Sequence, residues 1–254
     1  MPGYTGLIGA KTAPTCLPTV NEPMTEETAA APLFVQYLFL AVDPAWRRLR
    51  PEDRECAGTQ LREVIENQSD ITTFGYATTG LKAGTDLLLW RTAPELDALQ
   101  SATAEILRTR IGAYLSLPYA YIGLIRPSSY VRRQDSQEQA ALAKDRSRYL
   151  VIYPFTKTHE WYQLSKTSRQ GMMNEHIKIG HEYPNIKQVL VHSTGLDDQE
   201  FVVAYEMDTA AELLEFQTLV MDLRATDGRV YTLRDTPVFT AVHRPLEQLL
   251  AATR

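Results

Sequence analysis

Apolar residues along this chain change their spacing at regular intervals, and the changes mark its elements. LFVQYLFLAV (33–42) is rich in β-branched and aromatic residues and predicts a buried strand. RPEDRECAGTQLREVIENQ (50–68) opens on proline and acids and then carries apolar residues at helical intervals, so it predicts a helix. DITTFGYATTG (70–80) and TDLLLWRTA (85–93) predict two strands around a glycine-containing turn, and PELDALQSATAEILRTRIGAYL (94–115) an amphipathic helix. YAYIGLIRP (119–127) predicts a strand, giving the order βαββαβ. The same order returns in RYLVIYPF (148–155), a helical segment 158–180 broken near Leu164–Ser165, IKQVLVHSTG (186–195), QEFVVAYEMD (199–208), a helix over 209–226 and TPVFTAVHRP (236–245). Strand starts near 33 and 148 and helix starts near 94 and 209 share one offset of about 115, the mark of a duplication. The expectation is an α+β protein of two ferredoxin-like repeats, 33–127 and 148–254, whose open sheets pair edge to edge or face to face. Residues 128–147 are polar and charged and read as a linker, and the aperiodic, Pro- and Thr-rich residues 1–32 as a flexible tail.

Composition narrows the functional classes. The net charge of −5 lacks the basic excess of a nucleic-acid binder. No long uncharged apolar run predicts a membrane span, and the N-terminus shows no basic segment followed by an apolar one, so no signal peptide is expected. Cys16 and Cys56 form neither a CxxC pair nor a metal spacing, which fits a reducing cytoplasm.

Two places carry candidate chemistry. At the end of the 148–155 strand, the period of two puts Tyr153, Phe155 and Lys157 on one face and Ile152 and Pro154 on the other. That face offers a phenol and an ammonium about 13 Å apart. The ordinary reading is a strand end with an amphipathic tyrosine and a lysine reaching to water. In RQGMMNEHIKIG, Arg169, Met172, Met173 and His176 share one helix face. A histidine there is either a packed core residue or an axial ligand to haem iron. HEXXH, P-loop, GxGxxG and GxSxG patterns are absent, and His159, His181, His192 and His243 are scattered. Gln188 opens the strand that follows the His176 helix.

The run YPFTKTHEWYQL…RQGMMNEHIKIGHEYPNI…VHSTGLDDQEFVVAYE resembles the chlorite dismutase–coproheme decarboxylase superfamily. In the second half, MMNEH, G-x-x-Y and GLDD-x-EF stand at that family's spacing; in the first half only YAYIGLIRPSSYV does. The resemblance implies two ferredoxin-like repeats forming a dimeric α+β barrel, assembled as a homopentamer, with haem in the C-terminal repeat. It implies that His176 is the proximal iron ligand and that Gln188 stands where chlorite dismutases carry a distal arginine and many decarboxylases a glutamine. Tyr153 matches the decarboxylases' catalytic tyrosine, Lys157 a lysine beside the propionates, Trp161 a pocket aromatic and Tyr121 a propionate-contacting tyrosine. Phe155 takes a position often held by methionine, and Met172 is expected beside the cofactor. Two departures stand out: His181 replaces an arginine, and the arginine preceding the catalytic strand has no clear counterpart, Arg146 and Arg148 being the candidates. A proximal acid partner for His176 falls near Asp227 and Gly228.

The implied activity is peroxide-dependent oxidative decarboxylation of iron coproporphyrin III (coproheme) through a tyrosyl radical, giving haem b. A transient contact with the ferrochelatase that delivers the substrate goes with it. Chlorite dismutation, weak haem peroxidase activity and non-catalytic haem binding are the alternatives.

Overall fold

The computed structural model describes residues 33–126, 130 and 143–250. The expected tail 1–32, with Cys16, and most of the expected linker 128–147 lie outside the described residues. The first repeat runs β1 (Leu33–Val42), α1 (Pro51–Glu66), β2 (Thr72–Ala77), β3 (Leu87–Ala93), α2 (Leu96–Arg108) and β4 (Leu115–Ile125). The second runs β5 (Tyr149–Lys157), α3 (His159–Gln163), α4 (Lys166–His181), β6 (Lys187–His192), β7 (Phe201–Met207), α5 (Ala210–Arg224), α6 (Asp227–Val230), β8 (Thr232–Arg234), β9 (Phe239–His243) and α7 (Leu246–Leu249).

Local chemistry sets these boundaries. α1 starts at Pro51, whose missing N–H costs nothing in the first turn, and carries Glu52 and Asp53 at its positive end. The predicted helix 94–115 divides: α2 ends where Thr109 turns back, its backbone N–H and hydroxyl both donating to the Ile106 carbonyl at 3.1 and 2.6 Å. A short 3-10 turn, Ile111–Tyr114, then leads directly into β4. The break expected near Leu164–Ser165 separates α3 from α4, and Ser165 caps α4 by accepting from the Ser168 N–H at 3.1 Å. β8, only three residues long, had no counterpart in the sequence reading.

All strand pairs are antiparallel, in the order β7-β6-β4-β1-β3-β2-β9-β5-β8, and a further β7–β5 pairing closes the first eight strands into a ring. Each repeat supplies a four-stranded ferredoxin-like sheet, β4-β1-β3-β2 and β6-β7-β5-β9, and the sheets join edge to edge at two seams. One seam pairs Leu124 with His192; the other pairs Tyr76 with His243 and Ala77 with Val242. The first seam needs a glycine at 123, where a Cβ would lie 2.5 Å from the His192 carbonyl oxygen. The result is an α+β barrel of duplicated ferredoxin-like repeats, with no exposed edge in the ring itself.

The ring's interior is packed with aromatic side chains. Phe39 stacks on Phe239 at 4.0 Å between ring centroids, and Tyr121 lies against both rings. Arg146 and Glu206 form a buried ion pair at 3.1 Å, with side chains 0% and 2% exposed. Arg146 also lies over the rings of Phe74 and Trp90, and Glu206 accepts from the Tyr76 hydroxyl at 3.1 Å. Burial raises the Glu206 carboxyl above the usual range, while the Arg146 charge pulls the other way. Removing either partner would leave an uncompensated buried charge. The outer face of each sheet is covered by helices, and there the two repeats diverge. Beneath α1 the first sheet presents Leu38, Leu40, Leu87 and Leu89, all buried.

Candidate functional site

On the second sheet's outer face a cavity of about 250 Å³ opens between the strands and helices α4 and α5. Strand alternation builds its floor. Tyr153, Phe155 and Lys157 of β5 face the cavity, while Leu150 and Ile152 face the barrel interior. Register continues the floor across the sheet in rows: Tyr205 pairs with Gln188, Val203 with both Tyr153 and Leu190, and Phe201 with both Phe155 and His192. The floor is therefore mostly apolar and aromatic, with a neutral amide at one end and a lysine at the other.

The roof is α4. Its Met173, His176 and Ile177 line the cavity, and none of the residues of this helix is fully buried. The His176 Nδ1 lies 3.5 Å from Thr226 Oγ1. Thr226 donates its own proton to the Leu223 carbonyl at 2.7 Å, so toward His176 it accepts. That arrangement places the imidazole proton on Nδ1 and leaves the Nε2 lone pair free. Burial, and next the Lys157 charge, push the His176 pKa down to about 4, so the ring is neutral at pH 7.

Lys157 is held at the rim. Its Nζ donates to the Gly228 carbonyl at 3.0 Å and the Thr232 hydroxyl at 3.3 Å, and sits 4.6 Å from the Trp161 ring centre. Burial and then Arg229 lower its pKa to about 8, with Glu200 acting in the opposite sense. Tyr153 stacks on Tyr205 at 6.1 Å. Burial raises its phenol pKa and the interaction with Tyr205 lowers it; further out, Asp235 raises it and Arg224 and Arg229 lower it. It stays protonated at neutral pH. Asp235 itself bridges Arg229 at 2.9 Å and Arg224 at 3.5 Å.

The cavity thus gathers Tyr153, Phe155, Lys157, Trp161, His176 and Gln188. Met173 and His181 border it too, while four other residues singled out in the sequence lie elsewhere. Tyr121 points into the barrel, where it is 8% exposed, because its parity on β4 is that of the interior. Arg148 lies over the Tyr149 ring, and Met172 on α4 approaches Gly228; neither borders the cavity. Arg146 is inside the barrel. Thr226, rather than Asp227 or Gly228, stands beside His176. Sequence reasoning missed Tyr205, Thr226, Arg126, Arg224, Arg229 and Asp235, all at or near the cavity. Alternation in FVVAYEMD carried a signal for Tyr205, which shares its face with Val203 and Phe201. Among the described residues, no group of three His, Cys, Asp or Glu is placed to hold a metal ion by itself. No helix among them is long and apolar enough to cross a membrane.

Residues 54–244 match the model of the family described as Chlorite dismutase. The chain belongs to this family. A coproheme decarboxylase of Mycolicibacterium smegmatis is 31% identical over 222 residues, covering 85% of this chain and 94% of that protein. Among solved structures, a mutant chlorite dismutase of Candidatus Nitrospira defluvii with Trp-to-Tyr and Arg-to-Gln exchanges superposes with a TM-score of 0.79 at 25% identity, covering 86% of this chain and 94% of that one. The chlorite dismutase of the same organism in complex with imidazole gives 0.78 at 25% identity, with the same coverage. The family's fold, two ferredoxin-like units in one chain, is the one described above.

Proposed function

We propose that this protein is a haem-dependent coproheme decarboxylase, which converts two propionates of iron coproporphyrin III to vinyl groups and so makes haem b. The observation that carries this reading is the pairing, in one cavity, of a neutral imidazole on the helix roof with a protonated phenol on the sheet floor. The curated relative at 31% identity supports it.

The residues fit the porphyrin. His176 would hold the iron through its free Nε2, with Thr226 accepting from Nδ1 and so favouring that tautomer. The aromatic and aliphatic floor suits a flat macrocycle, and Lys157 is placed at the rim for an acid arm. A bound haem iron supplies peroxide activation and one-electron oxidising power. The chain supplies the rest. Tyr153, after losing one electron to the oxidised haem and its phenol proton, would take a hydrogen atom from the propionate β-carbon and so return to the phenol, a step that needs the two within about 3–3.5 Å. Phe155, between Tyr153 and Lys157, excludes water and resists oxidation. Lys157, with its pKa near 8, holds a carboxylate and relays protons close to neutrality. Per arm, a propionate carboxylate, one hydrogen peroxide and one proton give a vinyl group, carbon dioxide and two waters.

Gln188 brings a hydrogen-bonding amide without charge, so it gives a departing hypochlorite little help, and chlorite dismutation is expected to be poor. This reading assigns porphyrin binding to the C-terminal repeat, 148–254. It also carries the homopentamer, the cytoplasm and a passing contact with a ferrochelatase as proposals. The test is mass spectrometry of the porphyrin after coproheme-loaded protein meets peroxide. Loss of two carboxyl groups is expected. Unchanged porphyrin that stays bound would point instead to a non-catalytic haem protein, and oxygen release from chlorite to a dismutase.

A further inference from the structure

Four cationic side chains border the cavity, Arg126, Lys157, Arg224 and Arg229, against one carboxylate, Asp235. The Lys157 ammonium gives two of its three protons to Gly228 and Thr232, which leaves one for an acid arm. Arg224 ends α5 and Arg229 belongs to α6, and Asp235, just past β8, holds the two guanidiniums side by side at 3.5 and 2.9 Å. One carboxylate between two guanidiniums leaves one positive charge unbalanced. The Arg224, Arg229 and Asp235 side chains are 58%, 30% and 23% exposed, so solvent screens Arg224 more than Arg229. All three groups border the same cavity as the Tyr153 phenol. The arginines expected from the sequence to hold an acid arm, Arg146 and Arg148, are respectively inside the barrel and away from the cavity.

We propose that Arg224 and Arg229, splinted by Asp235, form a clamp for a carboxylate arm of the porphyrin. This rests on the porphyrin reading above. Two planar guanidiniums held together present parallel N–H groups that match a carboxylate's two oxygens. Asp235 keeps them in place before the ligand arrives, but it also competes for the same donors. Asparagine at 235 keeps an acceptor oxygen while removing the competing charge.

The test uses the full chain and a metal-free porphyrin, coproporphyrin III, so that the axial bond plays no part. Binding is read by quenching of tryptophan fluorescence, since Trp161 borders the cavity. Wild type is expected to bind coproporphyrin. Arg224→Gln and Arg229→Gln are each expected to weaken coproporphyrin about tenfold. Asp235→Asn should tighten binding severalfold, a direction that no folding defect imitates. Coproporphyrin affinity unchanged in both arginine variants, or weakened by Asp235→Asn, would overturn the clamp and leave the porphyrin reading standing. Wild type that does not bind coproporphyrin would overturn both.

Discussion

The two repeats put different side chains at matching points of the same scaffold. In the first, β1 and β3 pair Gln36 with Arg91, Leu38 with Leu89 and Leu40 with Leu87. In the second, β5 and β7 pair Val151 with Tyr205, Tyr153 with Val203 and Phe155 with Phe201. Four leucines in one half thus stand where the other has Tyr153, Val203, Phe155 and Phe201. The covering helices diverge in step. α1 buries Ala57, Leu61 and Ile65 against its sheet, whereas α4 buries nothing fully and stands off, with His176 turned to the gap. Even the polar exception differs. Arg91 is completely enclosed, bonded to Gln36, Thr103 and the Leu99 carbonyl, whereas Tyr205 opens onto the cavity. Duplication lets one copy carry packing while the other carries a void, because the shared ring of strands holds both.

Substitutions that act on only one side of this division test it most directly. The largest effect belongs to Tyr153→Phe, which removes one oxygen atom from the floor. Coproheme should still bind, while peroxide-driven loss of carbon dioxide falls about a thousandfold or more, which corresponds to roughly 4 kcal/mol of barrier. Undiminished turnover in this variant would remove the phenol from the reaction. Leu89→Ala, at the first-repeat point that matches Val203, should destabilise the fold by about 2–5 kcal/mol in urea unfolding, since its neighbours cannot collapse onto the space. An acid-side effect comes next. The folded His176 resists protonation down to about pH 4, whereas the unfolded chain takes up that proton near pH 6.5. Unfolding is therefore coupled to proton uptake, and stability falls as pH drops through that window, by at most about 3 kcal/mol. In the porphyrin-free protein, His176→Gln should flatten the change in melting temperature between pH 7 and pH 4.5. The smallest effect is expected for Val203→Ala, about 1 kcal/mol, because its side chain already borders open space. A cost there equal to that of Leu89→Ala would mean that the second repeat is packed as tightly as the first.

The sequence made the duplication legible because each unit alternates helical and strand spacing in the same order. It also made β5 legible: a period of two was enough to put Tyr153, Phe155 and Lys157 on one face. Ring closure was not legible, since it depends on pairings as thin as Leu124 with His192, between residues far apart in the chain. The helix predicted through 115 failed because Thr109 competes for the Ile106 carbonyl, a local bond that apolar spacing does not encode. At the cavity, the residues singled out in advance lie at 153–161, on the following helix at 176 and at 188 on the next strand. Those missed, Thr226, Arg224, Arg229 and Asp235, reach the cavity from helix ends and a three-residue strand, where periodicity carries no signal. Tyr121 was misplaced by analogy, although its alternation with Ile122 on β4 leaves it only one of two faces, and the interior is the one it takes.

Ring closure also ties the fate of the two halves together. A piece of chain starting at Tyr149 would keep every residue of the β5, β6 and β7 floor, yet would lose the neighbours of β6 and β9 at both seams. Those strands would offer unsatisfied amides and carbonyls to any passing chain, and the aromatic lining of the ring would face water. Such a fragment is destined for the pellet rather than the assay. The half with the cavity survives only as long as its filled twin stays attached.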